Sequence, residues 1–239
     1  MIEEYFKPLT LQIDSGFGST ADSFYYAAQA LEKNIESPHG FGIGGGKLPI
    51  LYLYRHSIEL YLKAVITFIY RIHPQDSSSK TDDNFPKLKS NGIDKKIFNV
   101  HSISILFDNY LLMLENNKDS IHSRSGYNWF DIPEEIPLLI KKIEDYDSSS
   151  TMFRCPITMD PNLDYEKSTF KEYDPLKSSK LNEGSKSNIF LLIQNSNSEI
   201  IESYVSDNNA LDEIYKALKD LSEQLSGLHF GLKLDLIRN

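Results

Sequence analysis

The chain has 239 residues, a net charge of −9 and a pI near 5.2, with 40% hydrophobic and 12% aromatic residues. Such a chain can bury a sizeable core as one large domain, and its acidic balance argues against a surface built for non-specific DNA binding. A single cysteine, Cys155, excludes an internal disulfide. The acidic start MIEEYFKPLTLQID lacks the apolar core of a signal peptide, so a reducing cytoplasm is the expected compartment. No apolar run is long enough to span a bilayer without ionisable residues, so no membrane role is expected.

Residues 1–18 read as an irregular lead-in. Ser19-Thr20-Ala21-Asp22 is a helix start, and Phe24, Ala27, Ala28 and Leu31 recur at helical spacing, predicting a first helix over about 20–35. A glycine-rich stretch, Gly40 to Lys47, follows. It fails as a phosphate-binding loop: the position five before the Gly46-Lys47 pair is Phe41, and the residue after the lysine is Leu48 where Ser or Thr is needed. It reads as a connector, with an anion at the next helix N-terminus left open.

The second helix, about 49–72, carries the most information. Its segment LYLYRHSIELYLKAVITFIY is apolar on nearly every side, so it belongs in the middle of a bundle. Yet it holds Arg55, His56, Glu59 and Lys63. Arg55, Glu59 and Lys63 stand four residues apart, the spacing of a helical charge ladder. Buried charges are costly without partners, so distant parts of the chain or a ligand must compensate them. The group is either an ion-pair network orienting the helix or a polar pocket between helices.

Residues 73–96 read as a polar surface excursion. A third helix is expected over about 100–116, with His101 at its start, then a mixed loop, 117–131, holding Trp129. A fourth helix is expected from Pro133 to Tyr146, ended by Ser148-Ser149-Ser150. From 151 to about 208 the pattern breaks into an irregular, polar insertion. Within it NIFLLIQ and EIIESYV flank a turn-like Asn195-Ser196-Asn197-Ser198, predicting a small β-hairpin, with a helical alternative. A last helix spans about 209–227 with Gly227 as its C-cap. The expected fold is mainly α: one helical bundle over 1–239, its core about 20–150 and 209–228.

In the segment Phe153-Arg154-Cys155-Pro156, an arginine between apolar residues calls for a carboxylate, and Glu59 is the expected partner of Arg154. His56, Glu59 and His101 do not make a di-metal carboxylate pattern, which needs Glu-x-x-His on each of two helices. No metal or cofactor is expected. Cys155 has no Cys-His signature around it and reads as a small packed residue.

Three pieces stand in a definite order: Tyr54-Arg55-His56-Ser57-Ile58-Glu59-Leu60-Tyr61-Leu62-Lys63, Val100-His101-Ser102-Ile103, and Phe153-Arg154-Cys155-Pro156. Over roughly residues 20–160 this resembles the HEPN superfamily of helical bundles, in particular HEPN-like proteins of bacterial defence systems. The resemblance implies a bacterial abortive-infection or toxin–antitoxin-type setting and a homodimer. Many members are metal-independent ribonucleases with Arg, four to six residues, then His. Here Arg55 is followed at once by His56, and Arg71 by His73 two positions on, so that motif is absent. Ser102 and Ile103 stand where the family has Asp and Leu, and Cys155 where it has Tyr.

The favoured expectation is therefore a binding or regulatory component in which the polar group on the second helix is structural or holds a small anionic ligand, with RNA or a nucleotide as the candidate partner. One alternative is a ribonuclease that assembles Arg55, His56, Glu59, Lys63, His101 and Arg154 as base, acid and cations. Another is an acidic immunity or antitoxin protein that covers a basic partner.

Overall fold

The computed structural model describes residues 6–33, 47–73, 85–148, 150–155, 157–158, 160–174, 189–207 and 209–238. Seven helices stand among them: α1 (Phe17–Glu32), α2 (Leu48–Ile72), α3 (Ile103–Asn116), α4 (Lys118–Arg124), α5 (Glu135–Asp147), α6 (Pro161–Lys167) and α7 (Asp212–Arg238). The strands are β1 (Lys87–Ser90), β2 (Ile93–Lys96), β3 (Phe170–Glu172), β4 (Phe190–Gln194) and β5 (Ile200–Ser206). They form a β1–β2 hairpin and an antiparallel sheet of order β3-β5-β4. The protein is mainly α-helical, and no helix among the described residues is long and apolar enough to cross a membrane.

The core is built around α2. Its residues from Tyr54 to Ile69 are buried with the sole exception of His56, as an all-round apolar helix must be. α1, α3 and α7 pack against it, and α5 closes the bundle between α3 and α7. Several polar groups that enter this core find partners across helices. Ser57 and Ser222 share a 2.7 Å hydrogen bond, and Tyr61 donates to Asp22 at 2.7 Å. Glu32 accepts from Tyr54, Tyr215 and Lys219, joining α1, α2 and α7. These contacts fix the angular setting of α2, which apolar packing alone would leave degenerate.

Several expectations need correction. The lead-in is not wholly irregular: a 3₁₀ turn at Leu9–Leu11 precedes the fully buried Asp14, and α1 starts at Phe17, two residues before Ser19. The glycine-rich connector lies outside the described residues except for Lys47, as do 74–84 of the polar excursion. The rest of that excursion is the β1–β2 hairpin. Its turn, Asn91-Gly92, has φ of 51° and 77°, the left-handed pair that two-residue hairpins favour. The loop 117–131 contains α4. In the 151–208 stretch, Asp160 caps α6 with Pro161 in its first turn, and the β4–β5 hairpin forms in place of the helical alternative.

The largest difference is α7. It runs on through Gly227 to Arg238, so Gly227 is no C-cap. The apolar period continues through Leu225, Leu232 and Leu236, all buried, while Gly227 sits on the exposed side where its lack of side chain costs only propensity. Further along, Gly231 lies under the Trp129 ring, where a Cβ would come within 2.9 Å. Trp129 Nε1 donates to Asp235 at 2.8 Å, which pins the 125–130 segment to this extension.

Candidate functional site

Helical spacing places Arg55, Glu59 and Lys63 in one line on α2, and all three are at most 3% exposed. Glu59 is the hub. Its Oε1 accepts from Lys63 Nζ at 2.8 Å and meets His101 Nδ1 at 3.0 Å, while Oε2 lies 3.6 Å from Arg55 Nη1. Burial would raise the Glu59 carboxyl, but Lys63, Arg55 and His101 outweigh it and hold the group below the usual carboxylate range.

Arg55 reaches the other way. Its Nη2 donates to the backbone carbonyls of His101 (2.8 Å) and Asp147 (3.5 Å), and its Nε is 3.7 Å from Asp147 Oδ2. Burial pulls its pKa down against the opposing fields of Asp147, Glu59 and Glu144. Nε and Nη1 make no hydrogen bond, so these carboxylates act on them as charges. Two buried cations thus face two buried carboxylates, and the interior balances.

Asp147 and Glu144, both on α5, are functional neighbours the sequence reading did not name. Asp147 Oδ1 accepts from the backbone N–H groups of Thr151 (2.7 Å) and Met152 (2.9 Å), tying down the turn after α5. Glu144 Oε2 accepts from the N–H groups of Ile103 (3.0 Å) and Ser104 (3.3 Å). With Ser102 as side-chain cap, the α3 N-terminus already holds its anion. A carboxylate in the last turn of a helix opposes the helix dipole, and Asp147 at the end of α5 was in that sense visible as a residue with another task.

The predicted site residues divide accordingly. Arg55, Glu59, Lys63 and His101 are brought together. Arg154 is not: it is exposed, and no hydrogen bond or ion pair joins it to Glu59. Asp147 and Arg55 occupy the interior that Arg154 was expected to enter. The tight turn from Thr151, held by Asp147, directs Met152 and Phe153 inward and Arg154 outward. His56 is half-buried, edge-on to Phe24 (centroids 4.5 Å apart) and stacked on Tyr52 (5.7 Å). Burial, chiefly, keeps its imidazole below its usual pKa, so it is neutral at pH 7. Among the described residues no three His, Cys, Asp or Glu side chains are grouped to hold a metal ion. Cys155 is half-buried and its carbonyl accepts from Lys167 at 2.9 Å.

The member that opens to solvent is His101, whose side chain is 56% exposed. When its Nδ1 carries the proton toward Glu59, Nε2 is left as an acceptor at the surface. The network is thus closed inside and ends in one accessible imidazole.

A second buried cluster lies at the far end of α2. Asp14 Oδ2 is 2.9 Å from His229 Nε2 and 3.4 Å from Lys233 Nζ, and Asp14 Oδ1 accepts from Gly16 N–H at 3.0 Å. Burial would raise Asp14, but the His229 hydrogen bond and the Lys233 charge hold it at about 2. This cluster joins the lead-in to α7 and has no counterpart in the sequence reading.

The fold and the ion network define the class as a mainly helical protein with a charged, self-compensated centre. Compared with known proteins, the chain matches no family model, no curated protein and no solved structure.

Proposed function

We propose that this chain is a HEPN-like helical bundle acting in the bacterial cytoplasm as a binding or regulatory component of a defence or toxin–antitoxin-type system. In this reading Arg55, Glu59, Lys63 and Asp147 are framework. One observation carries it: both buried cations are already engaged by two buried carboxylates, so neither is free to neutralise a phosphate in a cleavage transition state. The missing Arg-x(4–6)-His spacing and the exposed Arg154 agree with a bundle kept for binding.

The exposed His101 imidazole seated on buried Glu59 favours one competing reading, a metal-independent ribonuclease with His101 as its base. Expression of the intact chain, followed by electrophoresis of total RNA, separates the two. The binding role expects intact RNA with the native chain and with His56→Ala and His101→Ala alike. RNA cleavage by the native chain that vanishes in a folded His101→Ala variant replaces the binding role with the nuclease.

A further inference from the structure

β4 forms the outer edge of its sheet. It pairs with β5 on one side and with no strand on the other among the described residues. Its sequence, Phe190-Leu191-Leu192-Ile193-Gln194, is exposed at every position. Across the hairpin Ile200 and Ile201 are exposed as well, and these six apolar residues of β4 and β5 are 37–58% accessible. A strand half-buried on one face alternates apolar and polar residues. This one is apolar on both faces and, among the described residues, exposed along its whole length, with the Tyr173 ring meeting Phe190 edge-on at 5.3 Å. Long apolar edges are what soluble proteins avoid, by charge, proline or bulges, unless the edge is an interface.

The ladder shows which groups are unspent. Ser206 N–H donates to Ile189 C=O, whereas Ser203 and Asp207 pair with β3, through Tyr173 N–H to Ser203 C=O and Asp207 N–H to Thr169 C=O. Alternation along the antiparallel register then turns the N–H and C=O of Leu191 toward β5 and those of Phe190 and Leu192 toward the open edge.

We infer that this edge pairs antiparallel with the same edge of a second copy, about a two-fold axis at Leu192, to give one continuous six-stranded sheet. Two features favour a second copy as the occupant. First, the strand is self-complementary: Leu192 would exchange both backbone hydrogen bonds with its copy, Leu191 would face Ile193, and Phe190 would face Gln194. Second, β4 carries no ionisable residue on a chain of net charge −9, so like charges do not oppose one another across the seam. A basic partner would instead be met by an acidic edge. Glu202, on β5, would lie three strand spacings from its copy, on the order of 14 Å, which is beyond the screening length at physiological salt. The pairing follows from the β4 edge alone and is independent of the role proposed above.

Sedimentation equilibrium of the full chain across the micromolar range tests this. The expected result is a concentration-dependent rise to twice the 27.4 kDa of the single chain. Leu192→Pro removes an outward N–H, which an edge strand tolerates, and Leu192→Lys sets two cations face to face on the axis. Both variants are expected to stay at the single-chain mass with native circular dichroism. In a Cys155→Ser background, Leu192→Cys is expected to crosslink to itself on oxidation, since Cα atoms of a hydrogen-bonded antiparallel pair stand ~5.5 Å apart. A single-chain mass throughout the range overturns the inference, as does a doubled mass that both variants retain. Slow amide exchange at Phe190 and Leu192 in a single-chain species also overturns it, because another segment would then cover the edge.

Discussion

Replacing Glu59 by Gln keeps the shape of the hub and removes its charge. Lys63 Nζ stands 2.8 Å from Oε1 and is itself 3% exposed, so it cannot turn to water. At an effective dielectric constant of ~20 the attraction lost at that distance is about 6 kcal/mol. Part of it only offset the cost of burying both ions, and breaking one side of a buried pair generally costs ~3–5 kcal/mol. Arg55 keeps the fields of Asp147 and Glu144 and loses Glu59, the nearer of the two carboxylates within 4 Å of it. For a chain of this size that loss corresponds to a Tm roughly 6–20 °C lower. Urea unfolding followed by circular dichroism measures it directly. The paired variant Glu59→Leu with Lys63→Met, which removes both ions, should recover most of the loss, because the penalty comes from the orphaned cation. A cost below about 1 kcal/mol for Glu59→Gln, or a paired variant no more stable than the single one, would refute the view that the network is framework.

The Asp14 cluster should give the chain an acid limb. Its folded pKa of about 2 lies below the ordinary 3.8, so its contribution, about 2 kcal/mol, is fully present above pH ~4 and lost as the pH falls toward 2. Asp14→Asn should remove that limb from a stability–pH curve while lowering stability at pH 7, and an unchanged acid limb counts against the assignment. Gly18 faces the same cluster, where an added Cβ would fall 2.2 Å from the His229 ring. Gly18→Ala should therefore cost ~1–3 kcal/mol in denaturant unfolding, and a neutral result would show that the ring moves aside freely.

The features written in local period were legible in the sequence. α2 and its charge ladder are repeats at four residues, and the β4–β5 hairpin is two apolar runs around a turn. The β1–β2 hairpin carried an equally local sign in Asn91-Gly92, but the polar residues around it obscured the alternation. What could not be read was choice among distant partners. Arg154 and Asp147 lie seven residues apart, and only the direction of the turn after α5 decides which one enters the core. The Asp14–His229 pair spans nearly the whole chain, and no spacing rule reaches that far. Reading Gly227 as a stop likewise gave weight to one residue over the leucine period that runs past it.

The closure of α7 over α2 also sets an order of events during synthesis. Ser57 meets Ser222 across 165 positions of chain, and Glu32 meets Lys219 across 187. At ordinary ribosomal speeds of ~5–20 residues per second, the greasy central rod waits roughly ten to thirty seconds before its covering helix exists. Throughout that interval the nascent polypeptide displays the apolar flank that α7 later hides, an opening for holding chaperones and for mispairing with neighbours on the same message.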